Sequence, residues 1–161
     1  MAATEPDPNE TAVWRPHVTV ATVVPRDGRF LLVEEHSRGR LVLNQPAGHL
    51  EPGETLQHAA VRETREETGW DVQLTALLGV RQWLAPDGEQ FVRFTFGAEA
   101  VHHDPARRLD HGIVRALWLT QTEILANADR LRSPLVLADV DAWLDGRRLP
   151  LDAIAALGEL S

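Results

Sequence analysis

Three glutamates, Glu63, Glu66 and Glu67, carry the strongest chemical signal in this chain; they lie in the stretch Gly48 to Trp70, GHLEPGETLQHAAVRETREETGW. At about 100° per residue, Leu56, Ala59, Ala60, Glu63, Glu66 and Glu67 fall in one narrow arc, which a helix on a core would make apolar. His58, Val61 and Arg65 take the opposite face, so the helix is half inverted toward its C-terminal end. Anions turned inward are costly unless a cation meets them. Carboxylates at i, i+3 and i+4 converge on one site. Hard oxygen donors in that number suit Mg²⁺ or Mn²⁺, whereas zinc favours His or Cys.

Neighbouring residues can support such a site. Arg62 stands four residues before Glu66 and can orient a carboxylate, and Glu54, at the helix entrance, can reach Arg62 and fix it. Ala59 and Ala60 are small enough for a loop to pack closely. Gly48 has no side chain, so its carbonyl could join a metal shell. Spacing permits these supporting roles without requiring them.

The order is Gly48, five residues, Glu54, seven residues, Arg62-Glu63, two residues, Glu66-Glu67, one residue, Gly69. With each fixed position matching at roughly 6%, such a run arises by accident about once in 10⁸ to 10⁹ windows, so coincidence is negligible. The segment resembles the Nudix box, G-x5-E-x7-R-E-U-x-E-E-x-G-U with U bulky and apolar. Gly48, Glu54, Arg62, Glu63, Glu66, Glu67, Gly69 and Trp70 all match. Thr64 stands where the pattern has an aliphatic residue; at the edge of the inward face it predicts slightly looser packing and no lost ligand. The resemblance supports the roles given to Gly48, Glu54 and Arg62. It also implies a metal-dependent hydrolase of diphosphate bonds, with Mg²⁺ as cofactor and Mn²⁺ able to substitute.

A diphosphate would be repelled by bare carboxylates. Divalent ions between the two reverse that repulsion and stabilise charge developing at phosphorus. Glu63 is the expected base within the box. Asp110, in the loop before the last strand, is the candidate carboxylate from outside it, against a plain reading as an exposed loop aspartate.

Further blocks look like one subgroup of the family, the NudJ-type phosphatases. These are Pro16 to Ala21, Asn44 to Glu51, Gln82-Trp83, Ala85-Pro86-Asp87, Arg93-Phe94 and Leu131 to Val136, with Leu43 departing where an aromatic residue is expected. That resemblance implies phosphate release from nucleoside di- and triphosphates, thiamine pyrophosphate and hydroxymethylpyrimidine pyrophosphate. Trp83 could stack a heteroaromatic ring, and Arg93 or Arg132 could meet a terminal phosphate. Opposed to these stand a core tryptophan between sheet and helix, and a surface strand arginine. His17 reads as a satisfied core or strand-end histidine, and His102-His103 as a solvated loop pair.

Several elements must position these groups. Residues 1–13 read as a disordered tail, and 14–161 as one domain. His17 to Val24 is a strand buried on both sides, hairpinned through Pro25 to Gly28 onto Arg29 to Glu35. A short strand at Leu41 to Leu43 precedes an irregular segment around Pro46 and Gly48. The helix spans Thr55 to Thr68, ended by Gly69. Two strands, Val72 to Leu84 and Gln90 to Val101, turn through Ala85 to Glu89, and a polar loop over His102 to Gly112 leads to a strand at Val114 to Leu119. Thr120 caps a short helix, Ser133-Pro134 opens another to about Asp145, and the tail from Pro150 forms one more turn. The expected fold is α/β, an α/β/α sandwich with a mixed β-sheet and helices on both faces.

Of 161 residues 43% are hydrophobic, enough for one core, and the net charge of −8 disfavours nucleic-acid and anionic-membrane partners. Without cysteine there is no disulfide framework. No secretory signal or membrane-spanning run is visible, and a cytoplasmic monomer is expected. The competing enzyme is an ADP-ribose or nucleotide-sugar pyrophosphatase. A non-catalytic nucleotide-binding module would have lost box glutamates, and RNA-end hydrolysis conflicts with the acidic balance.

Overall fold

The run from His17 is almost unbroken in β-branched and small residues, and it becomes an inner strand with both faces covered. The computed structural model describes residues 13–161, so the expected tail lies, but for its last residue, outside the described residues. β1 (His17–Val23) is flanked by β5 (Ala47–His49) and β7 (Gln90–His103), and β7 pairs with β6 (Trp70–Leu84). β1 runs parallel to β7 and antiparallel to β5, and β6 is antiparallel to β7. This is the mixed sheet. A second, antiparallel sheet joins β2 (Pro25–Arg26), β3 (Arg29–Ser37), β4 (Arg40–Asn44) and β8 (Ile113–Thr120), the last pairing with β3.

The hairpin between His17–Val24 and Arg29–Glu35 does not form. Asp27 and Gly28 both have positive φ, 50° and 72°, and this two-residue turn closes β2 on β3 instead. The chain thereby crosses from one sheet to the other at Val24. The segment around Gly48 contains β5, an edge strand paired to β1 through Thr19–His49, Val20–Gly48 and Ala21–Ala47. His102 and His103 complete β7, with the His103 ring stacked on Trp70 at 4.5 Å, so they are not a loop pair.

Alternation along β1 divides the core. Val20 faces α1 (Leu56–Thr68), packing with Ala59, Ala60, Leu77 and Phe96. Val23 faces the other way, joining Ala76 and Leu78, Phe30, Leu32 and Leu43 of the second sheet, and Ile124, Val136 and Val140 of α2 (Gln121–Ala126) and α3 (Leu135–Leu144). Helices therefore cover both faces of the mixed sheet, as an α/β/α sandwich requires. Thr120 caps α2 with a full capping box. Pro134 occupies the N-cap of α3 and not its first turn. Among the described residues no helix is long and apolar enough to cross a membrane.

Candidate active site

Thr55 accepts from the His58 backbone N–H to start α1, and Gly69, left-handed at φ 73°, ends it by donating to Arg65 O. Between these caps Arg62 is a hub. Its Nε donates to Glu54 Oε1 at 2.7 Å and its Nη2 to Glu54 Oε2 at 3.0 Å, a bidentate pair. Nη1 donates to Glu63 Oε1 at 2.9 Å and Glu66 Oε2 at 3.0 Å, and Nη2 reaches His49 O at 3.1 Å. Hydrogen bonding from Arg62 holds the Glu54 carboxyl below its ordinary range, and the same contacts raise Arg62 itself.

Ligand oxygens of Glu63, Glu66 and Asp110 lie within 4.8 Å of one another. The Asp110 backbone N–H donates to Glu66 O at 3.0 Å, tying the loop before β8 to α1. Burial pushes the Glu63 carboxyl upward; Arg62 opposes that shift, while Glu66 and Asp110 add to it. One guanidinium thus meets Glu54, Glu63 and Glu66, with Asp110 beside the last two, leaving anionic charge in excess. An all-oxygen, anionic donor set of this kind fits Mg²⁺ or Mn²⁺.

Glu67 stands apart from that trio. Buried, it accepts the Ala47 backbone N–H at 3.0 Å, and burial holds its carboxyl well above the ordinary range, with Glu35, Glu63 and Asp110 adding to the shift. Gly48 passes directly over Glu63. A Cβ on Gly48 would fall 2.1 Å from Glu63 Cδ and Oε1, so a side chain there fits only if the Glu63 carboxyl moves. Thr64, expected at the edge of the inward face, is instead fully buried and bonded to Thr22 Oγ1 at 2.8 Å and to Ala60 O. A polar pair replaces the looser packing that its sequence position suggested.

From Glu67 and Gly48 a cleft runs along the face of the mixed sheet opposite α1. Cross-strand register sets its rows: Thr95, Ala21 and Ala47, then Arg81, Arg93, Thr19 and His49, then Trp83, Phe91 and His17. Successive rows are two residues apart, about 6.6 Å along the strands. Phe91 stacks on Trp83 at 5.4 Å and on His17 at 5.0 Å, an aromatic ladder at the far end. An inner cavity of about 120 Å³ includes Glu67, Gly48, Arg93 and Arg132 in its wall, and a wider one of about 600 Å³ shares Trp83, Phe91, Arg132 and Ser133 with it.

Arg93 is buried, not a surface strand residue. Its Nη1 donates to Gln45 Oε1 at 3.4 Å, and desolvation lowers its pKa. Trp83 is half-buried in the cleft wall and not a core residue between sheet and helix. Arg132 is exposed and donates to Glu35 Oε1 at 2.8 Å. His17 lies at the start of β1, its Nε2 paired with Glu89 at 2.7 Å and its Nδ1 with His49 at 3.1 Å.

The sequence reading gave no role to Glu35, Gln45 or Asp139. Asp139 is buried on α3, accepting from Gln45 Nε2 at 3.0 Å, Thr95 Oγ1 at 2.8 Å and Arg81 Nε at 2.8 Å. It thereby orients Gln45, whose Oε1 faces Arg93. An aspartate within the apolar run LVLADVDAWL was the available signal.

Known proteins resemble this chain over most of its length. The model of the NUDIX domain matches residues 13–140. Phosphatase NudJ of Escherichia coli (strain K12) is 45% identical over 142 residues, covering 88% of this chain and 92% of that protein. A solved NUDIX hydrolase from Nitrosomonas europaea superposes with a TM-score of 0.87 at 45% identity, covering 89% of this chain and 98% of the other. An ADP-ribose pyrophosphatase from Streptococcus suis shares the fold at a TM-score of 0.61 and 14% identity, over 83% of this chain and 93% of its own.

Proposed function

This chain belongs to the NUDIX family and is a hydrolase of phosphoanhydride bonds, and we propose that it releases terminal phosphate from nucleoside di- and triphosphates and from thiamine-type pyrophosphates. One observation carries the reading: Glu67 and Gly48 of the box share an inner cavity with the buried Arg93 and with Trp83 and Phe91 of the aromatic ladder, and a wider cavity adjoins it at those two rings. Glu63, Glu66 and Asp110, whose oxygens converge, would hold Mg²⁺, or Mn²⁺ in its place, and the resemblance to the box adds Glu67 and the Gly48 carbonyl as further proposed ligands. When bound, the ion supplies charge neutralisation for the phosphates and stabilises charge building at phosphorus.

The chain's own groups do the rest. Glu54 fixes Arg62, and Arg62 holds one oxygen of both Glu63 and Glu66. Raised by burial, Glu63 takes a proton from the attacking water more readily than an exposed glutamate would. The water oxygen bonds to the terminal phosphorus, the bond from that phosphorus to the bridging oxygen breaks, and its electron pair leaves on the bridging oxygen. Arg93 and Arg132 supply cationic contacts for phosphate, and Trp83 supplies a face for the ring.

Glu63→Gln and Glu67→Gln are expected to lower Mg²⁺-dependent phosphate release by roughly 10²-fold or more while the proteins remain folded. Near-parental rates in both would refute the assignment. Substrate identity is tested by product analysis: orthophosphate from thiamine pyrophosphate supports the reading, and two monoesters from ADP-ribose would favour the pyrophosphatase alternative.

A further inference from the structure

Four buried side-chain atoms have no hydrogen-bond partner among the described residues: Thr19 Oγ1, Asn44 Oδ1, Arg93 Nε and Ser133 Oγ. Orphaned buried polar atoms are uncommon in a folded chain. All four residues line one space, the inner cavity of about 120 Å³ beside Glu67 and Gly48. Each is more than nine-tenths buried, at 5%, 3%, 8% and 7% exposure. They come from four parts of the chain: β1 and β7, which lie side by side, the end of β4, and the residue before Pro134.

We infer that this cavity is a subsite for the terminal phosphoryl group and for the orthophosphate it becomes. The inference rests on the hydrolase reading above and specifies which end of the substrate enters. Arg93 Nε and the two hydroxyls can donate to phosphate oxygens, and the guanidinium supplies a charge that burial leaves unscreened. Asn44 is fixed as an acceptor because its Nδ2 donates to Glu35 Oε1 at 3.2 Å. Orthophosphate keeps a P–OH at neutral pH that can donate to it, and a phosphate esterified on both sides has none.

Size makes the same choice. The volume has room for on the order of ten water-sized positions, enough for a phosphoryl group and too little for a nucleoside. The ring and sugar then occupy the wider cleft, which shares Trp83 and Phe91 with this cavity. A bridge carrying bulky groups at both ends cannot place either end inside. The cavity therefore favours release of a terminal phosphate over cleavage of ADP-ribose-type substrates.

The test uses the full chain with Mg²⁺, measuring orthophosphate as a product inhibitor and by direct titration, in the parent protein and in Thr19→Val, Thr19→Ser and Ser133→Ala. Thr19→Val and Ser133→Ala should each weaken orthophosphate by about tenfold to a hundredfold, the loss of a bond to a charged group, whereas Thr19→Ser stays near the parent. Ser133 lies on a separate segment, so it carries the test should Thr19→Val not fold. Unchanged orthophosphate affinity in the folded variants, with turnover retained, means the cavity holds only water and overturns the subsite while leaving the hydrolase reading intact. Absence of phosphate release from the parent on every nucleotide and thiamine pyrophosphate overturns that reading itself.

Discussion

Gly48 and Glu63 show how one contact can constrain a site. The glycine belongs to the box spacing, and its fit is steric: the position for a Cβ lies 2.1 Å from the Glu63 carboxyl. Gly48→Ala must push Glu63 aside or lift β5 from β1, and either change moves a carboxylate by about an ångström. A displacement of that size costs about 10²-fold in rate when the group has to be aligned with a reacting atom. Gly48→Ala is accordingly expected to lose at least that much of kcat/KM with Mg²⁺, and added Mg²⁺ should raise its melting temperature less than the parent's. Parental kinetics in this variant would show that Glu63 need not sit where it does. The sequence made Gly48 a candidate for its carbonyl alone; the clash was hidden because it depends on how closely β5 crosses α1.

At the scale of the element, α1 was readable to within a residue at each end, since Thr55 and Gly69 are local signals for capping. Its packing was less readable. Thr64 makes a fully buried pair with Thr22, 42 residues away, and no local pattern predicts such a partner. The pair predicts a specific non-additivity. Thr64→Val leaves Thr22 Oγ1 buried without a partner and should destabilise the fold by about 1–3 kcal/mol, whereas Thr22→Val with Thr64→Val removes both groups and should recover most of that loss. Denaturant unfolding of the two single variants and the double variant measures the coupling, and strict additivity would mean the hydroxyls do not depend on each other. The misread hairpin has a related cause: β1 and β3 each have good strand character, and only the positive-φ pair at Asp27-Gly28 decides that β3 closes on the short β2. Arg93 alternates with apolar neighbours as a surface residue would, yet α3 and the second sheet cover that face.

Across the whole molecule, the site's electrostatics oppose folding in one place and support it in others. Glu67 is raised by burial, so the folded state holds its proton more tightly than the unfolded chain, whose carboxyl has the ordinary value of 4.5. That stabilising contribution is complete below the unfolded value and disappears as pH rises through the folded one. Glu34 and Glu54 behave oppositely. Arg130 and Arg115 lower the first and Arg62 the second, so their contributions are present above the ordinary value and are lost as pH falls. Glu67→Gln should therefore raise the melting temperature of the metal-free protein at pH 7, by about 2–4 °C for each kcal/mol relieved. The gain should shrink as pH falls toward 4, where the unfolded chain's carboxyl takes up its proton as well. Mg²⁺ should reverse the order, because an ion that binds the folded state alone stabilises the parent by mass action and the amide variant binds it less well. Melting curves of both proteins at pH 4 and pH 7, with and without Mg²⁺, give all the comparisons. A metal-free Glu67→Gln protein that melts well below the parent at pH 7 would make Glu67 a structural acceptor for Ala47 instead of an anion kept for a cation.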